Sequence, residues 1–234
     1  MLLCHAPRSS TRPNLAEIKR GISLLFSPGD VVEVRIVKTD KFGTVSGYFN
    51  DFDAMAQAIF EADQKYLPDG IYYTLNEVNP RLLGRSCNRL RERCDLTTSD
   101  KDILSRRWLP IDCDPVRPAG VSSSDEEHEA ALARARLIAA ERPKDWGEPI
   151  LADSGNGAHL LYQANMPNDP ETLRLVELAL ADLDKRYSDT KVKIDVKCGN
   201  AARIWKAYGT AVRKGDSIPG YPHRISQILE APLA

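Results

Sequence analysis

The sequence predicts an α+β fold, and three observations predict it. The chain opens on a helix, a hairpin and a second helix. Two strand-forming stretches further on, 108–115 and 150–163, carry acidic and glycine-rich ends, and amphipathic helical stretches over 123–140 and 167–187 follow them. With 234 residues, 42% of them hydrophobic, the chain can bury one substantial core or a core with a smaller appended unit. Lys and Arg number 32 against 33 Asp and Glu, a formal charge of −1, which excludes a globally basic nucleic-acid binder; any basic surface is local. Cys4, Cys87, Cys94, Cys113 and Cys198 are scattered, with no Cys-x-x-Cys pair, and read as reduced thiols. No stretch approaches a membrane span or a signal-peptide core. Together with the thiols this points to the cytoplasm and to no membrane partner.

Taken in order, residues 1–13 form a polar lead expected to be a mobile arm. Residues 15–26 place Leu15, Ile18, Ile22, Leu25 and Phe26 near helical period before Pro28-Gly29 stops them. The β-branched run 31–37, turn residues at 39–43 and a returning run 44–49 read as a hairpin. Asp51 or Asp53 caps a helix running to about Tyr66, whose apolar face takes Met55, Ile59 and Phe60. Residues 71–75 read as a strand with Tyr73 and Leu75 on one face and Tyr72 and Thr74 on the other; which tyrosine is buried is not legible. Residues 79–107 are the most basic and least core-like. A helix through Arg81, Arg85 and Arg89 would set three guanidinium groups on one side, as a phosphate-facing ridge or as a solvated face. Ser123 or Ser124 caps the helix that follows, with Asp125, Glu126 and Glu127 in its first turn and His128 expected at the surface.

Three stretches carry chemistry. In Leu109-Pro-Ile-Asp-Cys-Asp-Pro115, a strand sets Asp112 and Asp114 on one face, roughly 7 Å apart at Cα. Two such carboxylates repel, and a divalent cation held by oxygen ligands relieves them; a solvated strand-end turn is the plain alternative. In 150–163, a turn through Ser154-Gly155-Asn156-Gly157 leads to His159. The glycines allow close backbone approach to a bound group, Ser154 and His159 offer donors to phosphate oxygens, and a simple glycine hairpin has the same look. In 192–214, Asp195 sits in a strand pattern between Ile194 and Val196 and needs a cation. Arg203, Lys206, Arg213 and Lys214 supply local positive charge suited to a triphosphate.

These stretches, in this order, resemble the archaeo-eukaryotic primase superfamily, and more closely its primase-polymerase branch of plasmid, phage or CRISPR-associated type. The resemblance covers about 31–229. Asp112-Cys-Asp114 is similar to the first motif, Ser154-Gly-Asn-Gly-Ala-His159 to the second, and Asp195 with Asn200, Arg203 and Gly209-Thr210 to the third. The second motif departs from the common Ser-x-His, because Gly157 stands two before His159. The resemblance implies a primase catalytic core: an RRM-like sheet with flanking helices over about 106–234, preceded by an N-terminal αββα unit over about 14–105, the two forming one catalytic domain. It implies a DNA-directed nucleotidyltransferase acting on single-stranded DNA template and primer, with NTPs or dNTPs as substrates. Asp112, Asp114 and Asp195 would hold two divalent ions, Mg2+ or Mn2+. His159, Ser154, Gly155, Gly157 and Arg203, with Lys206 or Lys214, would grip the triphosphate. Tyr73 would pack on sugar or base, and Arg81, Arg85 and Arg89 would follow the template. A helicase or CRISPR-related module, fused or in trans, would be the partner. A catalytically silent nucleotide or nucleic-acid binding module, and a metal-dependent nuclease or replication initiator, are the alternatives from other classes.

Overall fold

The computed structural model describes residues 11–39 and 41–232. The first ten residues of the expected arm lie outside the described residues. Its last three are not an arm at all: Pro13 is buried and Asn14 N–H donates to the Gly209 carbonyl at 2.8 Å, which ties the segment to the body. Asn14 then caps α1 (Leu15–Leu25) by accepting from Glu17 N–H. β1 (Val32–Thr39) and β2 (Gly43–Phe49) form the expected hairpin, and Asp51 caps α2 (Phe52–Tyr66). β3 (Tyr72–Thr74) and the short β4 (Glu77–Val78) follow. β5 (Ile103–Pro115) is the long strand that ends in the paired aspartates, and it starts earlier than the apolar pattern indicated.

α3 (Asp125–Ala140) opens on a Ser124–Glu127 capping box. The glycine turn separates β6 (Ile150–Asp153) from β7 (Ala158–Pro167), and α4 (Pro170–Tyr187) follows, capped by Asp169. β8 (Val192–Ile194), β9 (Ile204–Lys206), β10 (Ala211–Val212), β11 (Arg224–Ile225) and β12 (Gln227–Glu230) complete the chain.

The fold is α+β with antiparallel pairing throughout its named strands. One sheet has the order β2-β1-β3-β9. A larger one runs β12-β6-β7-β5-β4, with β8 also on β5, and β10 and β11 pair separately. β9 joins the first sheet from far along the chain, so the expected N-terminal unit is completed by the C-terminal half. Trp108 Nε1 donates to the Leu25 carbonyl across the same boundary, and one apolar cluster extends from Ile18 to Ile228. No described helix is long and apolar enough to cross a membrane.

Candidate active site

β5 divides its residues between core and cavity. Ile111 and Cys113 are fully buried, and α3 packs on this strand. Asp112 and Asp114, on the alternate face, both line a cavity of about 530 Å³. β8 brings the third acid to them: it pairs with β5 through Cys113 and Ile194, and Asp195 N–H donates to the Asp112 carbonyl at 3.0 Å.

Asp195 is not within a strand, as the flanking Ile194 and Val196 indicated. β8 ends at Ile194, and Asp195 caps a 3-10 turn (Val196–Gly199), accepting from Lys197 N–H at 2.9 Å while Val196 turns to solvent. Its other oxygen accepts from Arg203 Nη2 at 2.8 Å, the cationic partner its position requires.

The acids are electrostatically crowded. Asp112 Oδ1 is buried and has no hydrogen-bond partner among the described residues. Burial pushes the Asp112 pKa well above the ordinary carboxylate value, and the charges of Asp114 and Asp195 add to the effect. Donor atoms of Asp112, Asp195 and Cys198 all lie within 4.8 Å of one another. An orphaned carboxylate oxygen among convergent carboxylates fits a divalent cation held by oxygen ligands.

The opposite wall carries positive charge. Lys206 is buried, its Nζ donates to the Ala211 carbonyl at 3.1 Å, and burial is the main cause that pushes its pKa down to about 7. Its ammonium stands 5.5 Å from the centre of the Tyr72 ring. Arg203 and Lys214 also line the cavity.

His159 stands between the walls, directly opposite Asp112 in the β5–β7 register, with Nε2 3.6 Å from Asp112 Oδ1. Trp205 Nε1 donates to the Tyr208 hydroxyl, which is hydrogen-bonded to His159 Nδ1 at 3.0 Å; in the tautomer in which that hydroxyl donates, Nε2 carries the proton. Burial, then Lys206 and Arg203, lower the His159 pKa to about 3, so the ring is neutral at physiological pH.

The glycine turn is built by packing. Gly155 has φ +93°, and a Cβ there would meet Val212 Cγ2 at 2.4 Å; a Cβ on Gly157 would stand 2.4 Å from the Cys113 carbonyl oxygen. A serine at 157 is therefore excluded by the closeness of β5. Ser154 does line the cavity, and its Oγ accepts from Gly157 N–H.

Several expected positions differ. Tyr73 is in the core, edge-on to Phe26, and it is Tyr72 that faces the cavity. The helical ridge does not form: Pro80–Arg85 is a 3-10 turn, Asn88 takes φ 49°, and residues 86–94 lie along the free edge of β2. Arg85 turns inward to the Tyr48 hydroxyl and Thr97 carbonyl, while Arg81 and Arg89 are exposed. Asn200 donates to Asp100, Thr210 to the Ala207 carbonyl, and Arg213 to Asp63, so all three serve the scaffold. His128 is mostly buried and pairs with Asp153 at 2.8 Å, tying α3 to β6.

Sequence reasoning missed Tyr72, Asn156, Cys198, Trp205 and Tyr208. Asn156 had a signal, its place in the glycine turn: it lines the cavity while its Oδ1 accepts from Ser123 N–H. Cys198 had none. No protein-family profile matches this sequence, and no curated protein or solved structure matches it.

Proposed function

We propose that this chain is a template-directed primase-polymerase that transfers nucleotides from NTPs or dNTPs to a 3′-hydroxyl on single-stranded DNA, acting in the cytoplasm. The observation that carries the reading is the cavity itself: Asp112 and Asp114 line it with Asp195 hydrogen-bonded beside Asp112, and Arg203, Lys206 and Lys214 line the same space, which is of nucleotide size. The motif order supports it as a resemblance.

Asp112, Asp114 and Asp195 are the residues that would hold Mg2+ or Mn2+; the Cys198 thiol, which burial keeps protonated, stands beside them. Such ions supply charge neutralisation at the phosphates and a lowered pKa for the attacking hydroxyl. The chain's own residues do the rest. Lys206 and Lys214 attract the phosphate chain, and a phosphate oxygen beside Lys206 restores the proton that burial disfavours. His159, neutral and fixed by Tyr208, offers an Nε2–H to a phosphate oxygen without adding charge. Tyr72 walls the side of the cavity formed by β3 and orients whatever sugar or base lies there.

The test is incorporation of labelled nucleotide on primed and unprimed single-stranded DNA with Mg2+ or Mn2+. The native chain is compared with Asp112→Ala plus Asp114→Ala. Products that vanish in the double variant support the reading. DNA or nucleotide binding without any product would replace it with a silent binding module, and strand cleavage without nucleotide with a nuclease.

A further inference from the structure

The arginines that failed to form a helical ridge are presented in another way. Residues 86–94 run along the free edge of β2, held by main-chain hydrogen bonds. Tyr48 N–H donates to the Ser86 carbonyl at 3.0 Å, Ser46 and Arg91 exchange bonds of 2.9 Å, and Arg93 N–H donates to the Phe42 carbonyl at 2.9 Å. The segment is thus a rigid, irregular extension of the four-stranded sheet.

Its register leads to the cavity. Arg91 is bridged to Ser46, Ser46 is opposite Arg35, Arg35 opposite Tyr72, and Tyr72 opposite Lys206. Residues directly opposite one another project to the same face. Arg91 therefore begins a row that ends at two residues lining the cavity, four strand spacings or roughly 19 Å away. The main chain of Thr98 crosses the middle of this row, fixed by Glu33 and Arg35.

The charge on this edge is unspent. Arg81, Arg89, Arg91 and Arg93 are exposed, and among the described residues none forms an ion pair; the Arg91 guanidinium donates to the Arg85 carbonyl. The one acid in the segment, Glu92, is taken by Lys65 at 2.9 Å, and Asp95 just beyond it is exposed. In a chain of net charge −1 this is a local field suited to a polyanion.

We propose that Arg81, Arg89, Arg91 and Arg93 form the surface that holds single-stranded DNA through its phosphates on the way to the cavity. The proposal deepens the polymerase reading and rests on it for the identity of the strand as template. Guanidinium contacts to phosphate carry no base information, so binding is sequence-tolerant and strongly salt-dependent.

The experiment measures binding of a labelled oligothymidylate of about 20 nucleotides across a salt series, without metal or nucleotide. Arg89→Glu, Arg91→Glu and Arg93→Glu are combined and compared with a charge-matched control, Lys144→Glu, Arg174→Glu and Lys185→Glu, on exposed positions elsewhere. The arginine triple is expected to bind at least about tenfold more weakly at low salt, and its log–log salt slope to fall by about 2. Double mutants that keep Arg91 provide a second measure if the triple folds poorly. Unchanged affinity and slope, an equal loss in the control, or no binding by the native chain overturns the proposal. Loss of binding to phosphatidylserine vesicles with DNA binding intact overturns it in favour of a membrane surface. Because no chemistry is read, absent incorporation by the native chain would defeat the polymerase reading while leaving this DNA surface to its own result.

Discussion

The two walls of the cavity hold opposite charge and destabilise the free protein for different reasons. On the acidic wall, Asp112 is half-buried with one oxygen fully covered beside two further carboxylates, so its cost comes from desolvation and like charge together. On the basic wall, Lys206 is buried with a single carbonyl partner, and desolvation is the leading cause of its lowered pKa. Asp195 and Arg203 form an ion pair at 2.8 Å, and Arg117 stands 4.0 Å from Asp114. Opposite charge would relieve each wall, a cation the acids and an anion the lysine, and the metal–nucleotide complex of the proposed reaction would supply both.

Removing the acidic wall should have the largest effect. Asp112→Ala with Asp114→Ala is expected to lower nucleotide incorporation by about a thousandfold or more while leaving the melting temperature unchanged or raised, read by primer extension beside calorimetry. A loss of activity that tracks unfolding would break the comparison.

Gly157→Ala attacks the spacing between the walls, because the new Cβ meets the β5 backbone. A cost of about 2–4 kcal/mol in denaturant unfolding is expected, since neither strand can move without shifting Asp112 or His159. A neutral result would mean that β5 and β7 part easily.

Lys206 sharpens the contrast through pH. Its pKa in the free protein is about 7, so the free site loses positive charge as pH rises from 6 to 8, and triphosphate affinity should fall by up to about tenfold per unit above 7. Lys206→Met should bind more weakly and without that slope, as titration calorimetry at several pH values would show. Stability runs the other way. The folded pKa lies below the unfolded value, so between about 7 and 10 the unfolded chain binds more protons and this lysine's destabilisation fades as pH rises.

Asp112→Asn gives the smallest effect and the opposite sign of pH dependence. The folded pKa is raised above the unfolded one, so the folded state binds the proton more tightly, and the destabilisation is complete above the folded value and relieved as pH falls through it. The amide should stabilise the metal-free protein by about 1 kcal/mol at pH 7, or about 2–4 °C, and abolish metal binding. An unchanged melting temperature would show that the acids do not strain the fold.

Where local rules govern, the sequence was legible. Asp51 and Ser124 cap helices whose apolar periods end close to the observed boundaries, and the alternation along β5 sets Asp112 and Asp114 toward the cavity. The arginine ridge shows the limit. Spacing at i, i+4 implies a common face only if a helix exists, and pairing of residues 86–94 with β2 prevents one. Tyr72 and Tyr73 alternate as expected, yet the face that was buried depended on α1 supplying Phe26 on one side and on β9 extending the cavity on the other.

By itself, then, the sequence determined the α+β class, the capped helices, the paired aspartates and the glycine turn, because each depends on contacts within a few residues along the chain. The tertiary structure decided which tyrosine faces the cavity, that Cys198 joins Asp112 and Asp195, that Lys206 is desolvated, and that Arg91 shares a row with Lys206. Those outcomes arise from strand pairings that bring together residues separated by tens to over a hundred positions, and no local periodicity encodes which strand lies beside which.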